Sequence, residues 1–277
     1  MDLQIKRHLT QFCAAILYNS KFFSSSATSF IRADKLCVPG LNCQYCPGAI
    51  TGCPLGTLQS IFGGGFLRLP FYMLASIVLF ALLLGRIICG WLCPFGFFFD
   101  LLYKIPSPKL KKSALTAKLC YVKYLIFAIT VIFIPLYMFY SKGMTFPAFC
   151  EELCPNGLLN AVFMMVTNTG FAFLYSNTKL IIALAIISAS IVIYRPFCRF
   201  ICPLGAFYAV FNKLSIFAIQ IDESKCIGCN ACQRACLMDC QKVGDAECIA
   251  CGKCKAVCPT KAINIGIRSC YCSTKKQ

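Results

Sequence analysis

The chain has 277 residues, of which 58% are hydrophobic and only 13% charged. That is too apolar for an ordinary soluble domain with a mixed surface, and it predicts an integral membrane protein. The net charge of +17 does not point to nucleic acid, because no basic stretch interleaves with stacking aromatics in a soluble domain.

In chain order, residues 9–34 follow Lys6, Arg7 and His8 and lack a small-residue cleavage site, so they predict a weak first membrane helix or an interfacial one. A cysteine-rich segment comes next, with Cys37, Cys43, Cys46 and Cys53, and ends in CPGAITGCPLG. Gly63 to Gly65 read as a flexible turn, without Walker or Rossmann spacing. Leu69–Gly85 is uncharged and near the ~17-residue lower limit of a spanning helix; Arg86 would extend it by snorkelling. The run closes on ICGWLCPFG, carrying Cys89 and Cys93. Trp91 with Phe95, Phe97, Phe98 and Phe99 predicts an interfacial aromatic belt first and a quinone pocket second.

Lys104, Lys109, Lys111, Lys112, Lys118 and Lys123 then gather between two apolar runs. The positive-inside rule places them in the cytoplasm; docking of anionic lipid or an acidic partner is the second reading. Tyr124–Ser141 has no charge over 18 residues and predicts a span; FCEELCPNG, with Cys150 and Cys154, follows it. Leu153–Thr178 is uncharged but rich in Asn and Thr, which favours a re-entrant or interfacial segment. Leu180–Tyr194 is the last apolar run, extended by Arg195 and closed by PFCRFICPLG with Cys198 and Cys202.

The expected fold is therefore an α-helical integral membrane protein of about three to four spanning helices with re-entrant or short helices. Residues 1–217 form the membrane domain, and residues 218–277 an α+β ferredoxin-like domain. Four Cys-Pro-x-Gly units make an internal repeat. With the lysines inside, Cys89, Cys93, Cys198 and Cys202 face the cytoplasm. Cys150 and Cys154, with Cys37 to Cys53, fall on the far side of a hydrocarbon layer ~30 Å thick.

The carboxy-terminal quarter carries CIGCNACQRAC and CIACGKCKAVCP. Both follow the C-x2-C-x2-C-x3-C spacing in which three cysteines wrap one cube and the fourth crosses to its neighbour. The expected sets are Cys226, Cys229 and Cys232 with Cys258, and Cys248, Cys251 and Cys254 with Cys236. Leu237 stands where the pattern has a proline after Cys236, whereas Pro259 follows Cys258. Structural zinc is the rival, but zinc sites use two separated pairs.

A C-x-x-x-C-P unit offers two thiolates, so two units on one side complete a site: Cys89, Cys93, Cys198 and Cys202. Spacing of four puts both sulfurs on one face of a helical turn, the proline starts a new helix, and the glycine lets the backbone turn closely around a cluster. Packing cysteines or palmitoylation are the competing readings. On the far side Cys46 and Cys53 would join Cys150 and Cys154, leaving Cys37 and Cys43 as a disulfide or spare thiols; a quartet of Cys37, Cys43, Cys46 and Cys53 is the rival, and spacing does not choose between them. Cys13, Cys120 and Cys240 read as packing or spare thiols, and Cys270 and Cys272 as free or metal-recruiting. A single histidine, His8, excludes bis-histidine haem ligation within the chain.

CGWLCPFG and CRFICPLGAFYAVFNK, together with the terminal two-cluster motif, resemble the membrane polyferredoxins. These include the accessory ferredoxin subunit of periplasmic nitrate reductase systems and the membrane regulator of nitrous-oxide reductase. CVPGLNCQYCPGAITGCPLGTLQ is similar to a subgroup common in anaerobic bacteria. The resemblance implies [4Fe-4S] clusters; the cysteine sets place two in the ferredoxin domain and one at the inner face, and one at the outer face rests on the subgroup. It also implies electron transfer across or into the cell membrane, with a flavoprotein, a reductase or quinol as redox partner. The inferred topology and the need for reduced thiols put the ferredoxin domain in the cytoplasm. No acid–base dyad or activated nucleophile stands out, so an electron-transfer subunit is expected rather than a stand-alone catalyst. A redox-sensing or maturation protein for a partner reductase, and a zinc scaffold, are the alternatives.

Overall fold

The computed structural model describes residues 3–19, 38–42, 52–63, 71–110, 114–143, 148–154, 177–238 and 240–268. Helix α1 (Leu3–Tyr18) buries Arg7, Gln11, Ala14 and Tyr18, a stripe at helical spacing. It lies against α4 (Ile87–Trp91) and α5 (Pro94–Tyr103). Within the expected first membrane helix, residues 9–18 thus belong to a helix packed on protein through polar side chains, and residues 20–34 lie outside the described residues. Helices α2 (Pro54–Gly63) and α3 (Phe71–Leu84) precede α4. The chain continues through a long helix, Thr116–Lys142, and the helices Asn177–Val192 and Pro203–Phe211.

Among the described residues, Thr116–Lys142 is the one helix long and apolar enough to cross a membrane. Helix α3 has 14 residues and Asn177–Val192 has 16, both short of a span. The expectation of three to four spanning helices is corrected on this finding: the chain is a helical protein with one candidate span and a small sheet. The reason lies at the helix ends. Gly85 and Arg195 take left-handed backbone, φ 51° and 48°, so each apolar helix is stopped rather than extended. Neither following arginine snorkels outward; Arg86 and Arg195 are fully buried. The segment expected to be re-entrant lies outside the described residues from 155 to 176.

The long helix widens into a π-helical stretch at Phe127–Phe133, directly before Pro135, whose missing N–H shifts the hydrogen-bond ladder. The ferredoxin lobe is closed by β1 (Phe217–Ile221) and β2 (Ile263–Ile267), paired antiparallel with Ile219 opposite Ile265. All eight motif cysteines lie between the two strands in sequence. One core of buried residues runs through the helical part, containing Cys89, Cys93, Cys198 and Cys202 with Phe95, Phe99, Phe149 and Phe197.

Candidate metal centres

The Cys-Pro-x-Gly repeat is a repeat in backbone geometry. The N–H of the second cysteine bonds the carbonyl of the residue before the first: Cys93 to Ile88 at 3.0 Å, Cys154 to Phe149 at 3.0 Å and Cys202 to Phe197 at 2.8 Å. These are five-residue bonds, one wider than an α-turn. Each second cysteine then leaves the turn extended, at φ −79°, ψ 117° for Cys93, −79°, 111° for Cys154 and −63°, 112° for Cys202. The proline follows as the first helical residue at Pro94 and Pro203, where its lost N–H has no partner to forgo.

Arginines cross-link the two inner units. Arg86, just before the first unit, donates from Nη2 to the Cys198 carbonyl at 3.2 Å. Arg195, just before the second, donates from Nη1 to the Cys89 carbonyl at 2.7 Å. The motif glycines make room for these bonds. A Cβ on Gly96 would fall 2.8 Å from the Cys89 oxygen and 2.9 Å from Arg195 Nη1; one on Gly205 would lie 3.3 Å from the Cys198 oxygen and 3.4 Å from Arg86 Nη2. The glycine thus admits an arginine–carbonyl contact, where the sequence suggested a bend around a cluster.

The four inner cysteines are all under 10% exposed, Cys89 at 9% and Cys202 at 4%. Burial pushes the Cys89 and Cys198 thiols up, the latter to about 12; the charge of Arg86 opposes that rise most at Cys89, and that of Arg195 at Cys198. Four buried cysteines in one core beside two cations form a donor set that fits an anionic thiolate-ligated cluster.

In the ferredoxin lobe, one cavity of about 430 Å³ is lined by Cys226, Cys229, Cys232 and Cys258. A second, smaller cavity is lined by Cys236, Cys248, Cys251 and Cys254, with Cys232 and Cys240 also on its wall. Each cavity therefore contains three cysteines of one run and the fourth of the other, so the donor sets fit two crossed cubes. Among the described residues, no group of three Cys, His, Asp or Glu is gathered tightly enough to hold a single metal ion.

The lobe is seated on the first inner unit. Trp91 donates from Nε1 to the Ala250 carbonyl at 3.0 Å, and a Cβ on Gly90 would strike the Ile249 carbonyl oxygen. Ile249 and Ala250 lie between Cys248 and Cys251; Gly90 and Trp91 lie between Cys89 and Cys93. Trp91 thus docks the lobe, a role the aromatic-belt reading missed. Arg86 and Lys123 both pair with Glu247, and the Tyr124 hydroxyl bonds it at 3.1 Å. Asn212 accepts from the Arg86 N–H at 3.0 Å and donates to the Asp245 carbonyl at 2.8 Å. Helix α1 adds Gln4, donating to the Cys251 carbonyl at 2.8 Å.

The expected separation of the cysteine sets does not hold. The rings of Phe149 and Phe197, neighbours of Cys150 and Cys198, stand 6.5 Å apart between centroids, which leaves no room for a hydrocarbon layer between the pairs. A Cβ on Gly40 would lie 3.3 Å from the Cys93 Cα, so residues 38–42 also adjoin the inner site. Cys53, Cys150 and Cys154 pack partly buried on the same core, and the Gln59 amide donates to Cys150 Sγ at 3.3 Å. Cys37, Cys43, Cys46, Cys270 and Cys272 lie outside the described residues.

A family model for a 4Fe-4S binding domain matches residues 66–113 and 179–221, the stretches that carry the two inner units. A second 4Fe-4S binding domain matches 219–236 and 242–264, in the ferredoxin lobe. The uncharacterized protein MJ0750 of Methanocaldococcus jannaschii is 30% identical over 193 residues, covering 67% of this chain and 73% of that relative. The chain belongs to an iron–sulfur, ferredoxin-like family. This ferredoxin-like chain is also similar to uncharacterized protein MJ0749 of the same organism, 31% identical over 200 residues. That match covers 64% of this chain and 61% of the relative's own length. No solved structure matches. The protein binds [4Fe-4S] clusters, and iron–sulfur electron transfer is the activity its domains suggest.

Proposed function

We propose that this protein is a membrane-associated electron-transfer protein of the polyferredoxin kind. Its ferredoxin lobe exchanges electrons with a third [4Fe-4S] cluster held by Cys89, Cys93, Cys198 and Cys202. The observation that carries this reading is the seating of the Cys248–Cys251 loop on Gly90 and Trp91, inside the first inner unit. A cube, when bound, accepts and returns one electron at a time. The chain's own work is to hold the two sets of thiolates on elements that touch, to keep water from the inner set, and to set two arginines beside it. Cys53, Cys150 and Cys154 fit an additional site against the same core.

The membrane segment of this reading is Thr116–Lys142. Leu125, Ile129, Phe133 and Tyr137 recur every fourth residue along it and are 61%, 42%, 65% and 60% exposed, an apolar stripe suited to lipid. Lys123 and Tyr124, near its start, hold Glu247 of the lobe. The lobe then shares the side of Lys104, Lys109 and Lys118, the cytoplasm under the positive-inside rule. A flavoprotein or reductase, or quinol, serves as the redox partner.

Gly90→Ala tests the reading, because it disturbs the lobe contact and touches no cysteine. The variant should keep its full iron content. The inner cluster should reduce at least ten-fold more slowly when electrons enter through the lobe from a photoreduced flavin, read by freeze-quench electron paramagnetic resonance. An unchanged rate with full iron would remove the lobe from the route.

A further inference from the structure

The smaller cavity of the ferredoxin lobe is lined by six cysteines, of which Cys240 belongs to neither expected ligand set. Cys236 and Cys240 both line it, together with Cys248, Cys251 and Cys254. Cys240 is 8% exposed and shares the cavity wall with Cys236 and Cys248. It falls between the two stretches, 219–236 and 242–264, that match the 4Fe-4S binding domain. The chain leaves Cys236 extended, at φ −71° and ψ 122°, and passes through Leu237 where Cys258 is followed by a proline. Met238 is then buried at 2% exposure, which anchors the segment beneath the cavity and brings Cys240 to its wall.

We propose that Cys236 and Cys240 are interchangeable fourth ligands of the second cube, an inference that rests on the assignment of Cys248, Cys251 and Cys254 as its other three. In the exchange the iron–sulfur bond to Cys236 breaks and one to Cys240 forms. The proton of the Cys240 thiol is balanced by protonation of the released Cys236 sulfur on the same cavity wall, so charge is conserved and no oxidant or reductant enters. The exchange gives the second cube two ligand environments, whereas the first, lined by Cys226, Cys229, Cys232 and Cys258, has one.

The test compares the full chain with Cys236→Ala, Cys240→Ala and the double variant, by anaerobic iron and sulfide counts and by the paramagnetic resonance of the reduced clusters. Each single variant should keep the wild-type iron, and Cys236→Ala should shift the signal of one cluster only. The double variant should lose about four iron atoms per chain. A loss of about four from either single variant shows one obligate ligand and overturns the proposal. If an alanine variant loses all its iron it has misfolded, and the serine versions, closer in side-chain volume, carry the same comparison with the same losing result. A wild-type chain without clusters would defeat the assignment of the lobe instead.

Discussion

Arg86 and Arg195 occupy equivalent places in the repeat, yet their charges are met in different parts of the molecule. Each reaches across to the carbonyl of the other unit's first cysteine. Arg195 is closed by Asp100 of α5, from Nε at 2.7 Å and Nη2 at 2.6 Å, and the same carboxylate takes Arg7 at 2.9 Å. Arg86 is met by Glu247 of the ferredoxin lobe, which it shares with Lys123. One half of the site is thus locked within the helical part, and the other is completed only when the lobe is seated. Both acids are held below their ordinary range: burial would push Asp100 up but Arg195 and then Arg7 outweigh it, and at Glu247 Arg86 and then Lys123 do the same.

The largest break in this comparison is Asp100→Asn. It leaves Arg195 and Arg7 buried without their counter-charge and should cost about 3–5 kcal/mol in thermal unfolding of the holoprotein. The effect is pH-dependent with a defined sign. Because the folded carboxyl titrates below its unfolded value, its stabilisation is present above the ordinary carboxylate range. It fades as pH falls through the lowered value, so wild type and variant should converge in acid and separate near neutrality. Glu247→Gln comes next. Its carboxylate is 18% exposed, and the cost should be about 2 kcal/mol. Faster hydrogen exchange should appear at Ile249–Cys251 but not along α5; equal loosening of both would erase the asymmetry. Smallest are the glycines. Gly96→Ala presses on an oxygen at 2.8 Å and should cost about 1–3 kcal/mol. Gly205→Ala, with 3.3 Å to its nearest atom, should cost a small fraction of that.

The same arginines show where the sequence was legible. The ferredoxin cysteines follow a spacing that cluster ligands impose, and the expected quartets lie on the walls of two cavities, the smaller of which Cys232 and Cys240 also line. The shared turn of the Cys-x-x-x-Cys-Pro units was also readable, since proline and glycine at fixed offsets demand one backbone geometry. The number of spans was not. Hydropathy registers apolar length, whereas α3 and Asn177–Val192 end at left-handed residues, one of them the non-glycine Arg195, held there by three hydrogen bonds. No sequence pattern announces that conformation. Arg86 and Arg195 were read as snorkelling for the same reason, their acids being distant in sequence. One signal was available: Asp100 is the sole acidic residue between Asp34 and Glu151, and an isolated acid beside apolar runs calls for a buried cation. Trp91 and Gly90 could not be read as lobe contacts, because their partners lie about 160 residues away.

The central claim is that the paired units hold a third cluster beside those of the lobe. Iron and acid-labile sulfide per chain, measured anaerobically on wild type and on Cys89→Ala/Cys198→Ala, address it most directly. The account predicts that the double variant loses about four irons and four sulfides and keeps the paramagnetic signals of the two lobe clusters. A double variant with the wild-type iron and sulfide content would contradict it, and would make these four cysteines packing residues of the core.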